Sequence, residues 1–179
     1  MHMAGARKQT IRGVVQSLAV IGVVVAGIYV YVPHDDKADP IKKPVDYRVE
    51  LLTARRAAPY PVAAPQGLPK EWRATSVTYD GKNGKAWHLG FVDPDNQYVA
   101  IEQSAVTAGA ADKYVTSVSQ QAKKTARTQQ VNGEAWQRWE GSHYDALVRQ
   151  DKATGSTTVV TGTASYEQLA KMAAALRTK

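Results

Sequence analysis

Residues 73–103 read RATSVTYDGKNGKAWHLGFVDPDNQYVAIEQ, and the reading of this stretch decides the fold. Runs rich in β-branched and aromatic residues, at 73–79, 86–92 and 97–103, are separated by DGKNG and DPDN, both turn-forming sequences. They predict an antiparallel meander. Side chains alternate across a strand, so Trp87, Leu89 and Phe91 share a face with Val77, Tyr79, Val99 and Ile101, and His88 points to the opposite face.

Downstream, Ala111, Tyr114, Val115, Val118 and Ala122 recur at helical spacing and predict an amphipathic helix over 111–123. Strand patterns return at 128–131, 135–140, 144–149 and 157–163, with the hairpin signal Asn132-Gly133 between the first two. Ser165 and Gln168 form a capping box ahead of Leu169, Met172, Ala173 and Leu176, which predicts a final helix. Strands, a helix, strands and a helix in that order give an α+β class with a mainly antiparallel sheet, not a parallel βαβ fold. Upstream, PYPVAAPQGLP at 59–69 is extended by its prolines and is expected to wrap the domain edge.

The N-terminal part has a different chemistry. From Gly13 to Val32 there are twenty residues without a charge, enough for a helix to cross a hydrocarbon core of about 30 Å. In lipid the backbone must satisfy itself, so helix is the single-segment solution despite the β-branched valines. Arg12 abuts the run and no acid precedes Asp35, which places the N-terminus on the cytoplasmic side and the C-terminal domain outside. Cleavage after Val24-Val25-Ala26 is the alternative, and the apolar IYVYV that follows argues against it. The expected organisation is a basic tail at 1–12, a transmembrane helix at 13–32, a linker at 33–45 and an extracytoplasmic α+β domain at 46–179. Small-xxx-small spacings at Gly13/Ser17 and Gly22/Ala26 leave the oligomeric state open.

The 179 residues contain no cysteine, which removes disulfides, thiolate metal sites and cysteine nucleophiles. The formal charge of +7 falls partly on the tail, and the remaining bases are scattered, so nucleic acid is not an expected partner. His34 with Asp35 and Asp36 sits in a proline-rich spacer, without the preorganisation a metal site needs. No metal or cofactor is expected.

The phrases SLAVIGVVV, VDYRVELLTARRAAPYPVAAPQGLPKEWRATSV, WHLGFVDPDNQYVAIEQS, ALVRQ, TTVVTGTASYEQL and AALR together resemble the actinobacterial family catalogued as domain of unknown function 4245. The resemblance runs from about Arg7 to Arg177. It implies a single-pass, outward-facing envelope protein and implies no activity. The second half is also loosely similar in shape to small Mog1/PsbP-type domains, and shape does not confer function.

Ser142, His143 and Asp145 are the one Ser-His-Asp cluster in sequence, without a nucleophile elbow, and read as a turn. Glu102 and Glu140 form a possible carboxylate pair across the sheet, explained equally by salt bridges to Arg138 or Arg149. No catalytic residue is assigned, and the protein is expected not to be an enzyme. Strand parity sends Trp136 and Trp139 to opposite faces. With the helices on one face, the other presents Trp139 beside His88, Tyr98 and Gln137 as a ligand or partner surface. The competing expectation is that the proline-rich segment covers Trp139, and Trp72 is read as a plug where that segment meets the sheet. Trp87 joins the candidates as a residue lining a cleft between sheet and lid that would take a lipid or other amphiphile. The leading expectation is a non-enzymatic binding or scaffold domain with an envelope or membrane-protein partner. A hydrolase ranks below the amphiphile binder, and would require a base within hydrogen-bond reach of a nucleophile.

Overall fold

The computed structural model describes residues 11–31, 44–82, 85–106 and 108–178. The His34, Asp35 and Asp36 cluster, residues 1–10 of the basic tail, and the centre of the DGKNG turn lie outside them. The chain divides into two compact units, residues 1–39 and 40–179.

The first unit contains α1, Ile11–Tyr31, a helix of 21 residues. Its described side chains, at 13–16, 18–22, 24 and 25, are exposed. On those described residues alone no helix is long and apolar enough to cross a membrane, and the charge-free run at 13–32 extends beyond them.

The second unit is α+β. Its elements in chain order are α2 (Arg48–Ala57), β1 (Ala64–Pro65), β2 (Arg73–Asp80), β3 (Ala86–Val92), β4 (Tyr98–Ser104), α3 (Ala108–Val118), β5 (Lys123–Val131), β6 (Glu134–Glu140), β7 (Asp145–Asp151), β8 (Ser156–Gly162), α4 (Tyr166–Ala175) and β9 (Leu176–Arg177). Seven strands form one antiparallel sheet in the order β2-β3-β4-β8-β7-β6-β5. Two meanders, β2 to β4 and β5 to β8, therefore meet at the β4–β8 seam, and α3 carries the chain from the seam to the far edge. Both edge strands are bulged, β2 between Ala74 and Ser76 and β5 between Lys124 and Thr128, which discourages pairing with another chain.

The two helices read from the sequence lie on opposite faces, not on one. α4 and α2 cover the face of Trp87, Leu89, Phe91, Ile101, Trp136, Leu147 and Val160. The proline-rich segment lies on this same face, with Tyr60, Val62, Ala64 and Trp72 buried in the core. α3 covers the other face, packing Val115 against Trp139, Ala146, Val148 and Val159. Trp139 is thus buried by α3 and not by the proline-rich lid. The reason is quantitative parity: β6 to β8 alternate apolar residues on both faces, so both need a cover.

Short contacts fasten the lid. Trp87 Nε1 donates to the Ala63 carbonyl at 3.1 Å, and the Ala63 amide donates to Gln103 Oε1 at 2.7 Å. Gln103 Nε2 continues to Thr158 Oγ1 at 2.9 Å. At its end β1 pairs with β9, and Arg55 donates to the carbonyls of Val62 and Arg177.

Ser165 caps α4, its side chain accepting from the Gln168 amide at 3.4 Å. Replacing Ser165 by alanine will lower stability by about 1 kcal/mol, read as a small drop in the urea midpoint at unchanged slope.

Candidate functional site

Beside α3, the same face of the sheet carries a hydrogen-bonded polar cluster on β2, β3 and β4. His88 on β3 pairs in register with Glu102 on β4, and its Nδ1 lies 2.5 Å from Glu102 Oε1. Its Nε2 lies 2.8 Å from the hydroxyl of Ser76 on β2. Ser76 sits just past the β2 bulge, which resets the alternation so that Ala74 enters the core while Ser76 emerges beside His88. Gly90, opposite Ser76, leaves room above it. A Cβ there would overlap Ser76 Oγ and come within 2.9 Å of the Tyr98 hydroxyl, so the absent side chain is what lets these groups converge. Ser76, His88, Tyr98 and Glu102 are half-buried and Thr78 is exposed, so the cluster meets solvent.

The electrostatics follow from this packing. The hydrogen bond to Glu102 raises the His88 pKa, against a smaller opposing effect of burial, and the carboxylate charge adds to the rise. Burial raises the Tyr98 phenol, with Ser76 hydrogen bonding in opposition. Tyr114, on α3 and packed against the sheet, is raised by burial and then by the Glu102 charge. Because the folded His88 pKa exceeds its unfolded value, the contribution to stability is full below about pH 6.5 and is lost as pH rises through the folded pKa. An NMR titration of His88 should give a midpoint above about 6.5, and Glu102→Gln should lower it and flatten the matching part of the stability profile.

A second feature lies beyond α3. A groove of about 250 Å³ is lined by Asp112, Lys124, Gln137, Trp139 and neighbours. Lys124 Nζ lies 3.5 Å from Asp112 and 5.9 Å from the Trp139 ring centroid. Gln137 is held by its own strand pair, its Nε2 donating to the carbonyls of Thr125 and Arg127.

The five candidate residues, four read as one surface and Trp87 as lining a cleft, are therefore placed in three locations. His88 and Tyr98 belong to the polar cluster, Gln137 and Trp139 line the groove, and Trp87 is fully buried on the opposite face against the lid. The lid lies directly on the sheet where an amphiphile cleft was expected. Glu102 faces His88, not Glu140, which pairs instead with Arg127 at 3.5 Å. Ser142 and His143 are exposed, and Asp145 accepts from the Gly141 amide, so this segment is a turn. Among the described residues no three His, Asp or Glu side chains converge on a metal position.

Sequence reading missed Ser76 and the pairing of His88 with Glu102. The signal was present: a hairpin closing 92 on 98 across DPDNQ necessarily sets 88 opposite 102.

The family described as "Protein of unknown function (DUF4245)" matches residues 7–176. The chain belongs to that family. Its polar cluster and groove both lie within the matched span. No curated protein matches the chain.

Proposed function

We propose that this member of the family is a single-pass membrane protein whose outward-facing α+β domain is a non-enzymatic binding module. In this reading residues 13–32 hold the bilayer, and the Ser76, His88, Tyr98 and Glu102 surface engages an envelope or membrane-protein partner. The charge-free run supports the anchor. The observation that carries the binding role is the hydrogen-bonded Ser76–His88–Glu102 array, half-buried and meeting solvent beside the exposed Thr78. Ordered polar groups at a solvent boundary present fixed donors and acceptors to a partner at little entropic cost. The test is photo-crosslinking in native membranes, with the reactive residue at Thr78 and a control at Lys152. One protein captured from Thr78 alone, and lost with His88→Ala, supports the reading; equal capture from both positions overturns it.

The 2.8 Å contact between Ser76 and His88 favours a second reading, a serine hydrolase. Against it, Ser76 lies on a strand instead of a strained elbow, and Tyr98 shares its hydroxyl. A fluorophosphonate adduct on Ser76 of the full-length protein, absent in Ser76→Ala and weakened in His88→Ala, would transfer the function to hydrolysis. An unlabelled Ser76 retains the binding module. The amphiphile reading loses its cleft, since Tyr60, Val62 and Ala63 fill the space beside Trp87.

A further inference from the structure

We infer that α2 is a membrane-surface helix, docking the folded domain onto the acidic headgroups of the bilayer that its own anchor occupies. In the unit at 40–179, the exposed large apolar side chains among the described residues are Val49 and Leu52, at 71% and 55% exposure. Both lie on α2, three residues apart and therefore on one face. Arg56 follows Leu52 by four residues and Arg48 precedes it by four, so two guanidiniums flank the apolar pair on the same face. Neither has an ion pair among the described residues. Glu50 lies about 100° round the helix from Val49. Arg55, by contrast, is committed inward to the Val62 and Arg177 carbonyls.

The inner side of the helix is already packed: Ala54 is fully buried and Leu51 lies against the core. The outer side is thus unpartnered and has the composition of an interfacial helix, with apolar side chains that reach the acyl boundary and arginines at headgroup level. Charge selects the occupant, because an anionic leaflet attracts each basic residue near its surface. Chain length adds proximity. The residues between 32 and 48 reach at most about 55 Å when fully extended, so an anchored chain holds α2 close to the bilayer at high effective concentration.

This inference rests on the anchor proposed above, so the experiment reads both separately. The natural chain has no cysteine, which permits single-site labelling. Full-length protein carrying an environment-sensitive fluorophore at Thr53→Cys, Lys152→Cys or Val25→Cys is reconstituted in phosphatidylcholine vesicles with or without phosphatidylglycerol. The expected result is a blue-shifted Thr53 probe, shielded from aqueous iodide, in the anionic vesicles. High salt and the Val49→Ser/Leu52→Ser variant should each abolish that shift, while Lys152 stays wet throughout and Val25 stays lipid-shielded. A Thr53 probe as wet as Lys152 in anionic vesicles, with Val25 still shielded, overturns the docking and leaves the anchor standing. Water access at Val25 overturns the anchor and the docking with it.

Discussion

Replacing Trp87 by alanine will lower the unfolding free energy of the domain by about 3–5 kcal/mol, the range for truncating a buried indole to a methyl group. Trp87 is fully buried at the centre of the larger core, between the lid and the sheet. Its removal opens a cavity and also releases the Ala63 carbonyl from the indole N–H. Beside Trp87 the lid then keeps the Ala63 amide to Gln103 and Tyr60, whose hydroxyl lies between the carbonyls of Lys85 and Gln103, with Arg55 and the β1–β9 pair holding it further along. Urea unfolding followed by fluorescence should show a much lower midpoint, and protease should cut first within the lid. Trp87→Phe, which keeps most of the volume but not the N–H, should recover most of the loss; equal damage from both variants would place the weight on the hydrogen bond instead of the cavity. Ligand loss in Trp87→Ala would therefore report unfolding, not a binding contact.

The second large effect is expected at the seam. Gly162 ends β8 and is paired both with Val99 of β4 and with Asp145 of β7. A Cβ at this position would overlap the Tyr98 carbonyl oxygen and lie 2.7 Å from its carbon and 3.0 Å from Val99 Cα. These are backbone atoms that cannot swing aside. Gly162→Ala must push β4 and β8 apart where the two meanders join, and the cost should reach or exceed the upper end of the usual 1–3 kcal/mol for overpacking, about 3 kcal/mol or more. Gly109→Ala is the control, since nothing lies within 4 Å of a Cβ there and α3 gains a better helix former. Amide exchange should accelerate along β4 and β8 in Gly162→Ala; unchanged exchange would show that the seam tolerates a methyl group.

Much of the architecture was legible because alternation is a strong signal when one face is apolar and the turns carry Asn, Asp, Gly or Pro. Strand β3 is found at the expected 86–92, and the Ser165 cap begins α4 as its sequence requires. The errors have local causes. The helix expected to reach residue 123 ends at Val118, because Gln120 and Gln121 turn the chain with positive φ of 51° and 73°. Glutamine gives no warning of a left-handed conformation, which glycine or asparagine would have signalled. β5 begins at Lys123 instead of 128, since its first half is a polar, bulged edge without a hydrophobic period. α2 was not foreseen, its single fully buried residue, Ala54, being too little for a pattern. The candidate surface failed to form one patch for a related reason: parity assigns a face, but not which helix covers it or how far along that face two strands lie. His88 and Trp139 share a side of the sheet with β4, β8 and β7 between their strands.

The pairing of β1 with β9 bears on how the chain is made. Arg55 and its acceptor in Arg177 are 122 residues apart, and the clasp closes only after residues 176 and 177 have emerged. At about 5–20 residues per second, synthesis of that interval takes about 6–24 s, during which the lid has no final strand to hold it. The apolar lid segment and the face it covers thus await a late arrival. Termination just before Leu176 would leave all seven strands of the main sheet under an unlatched cover.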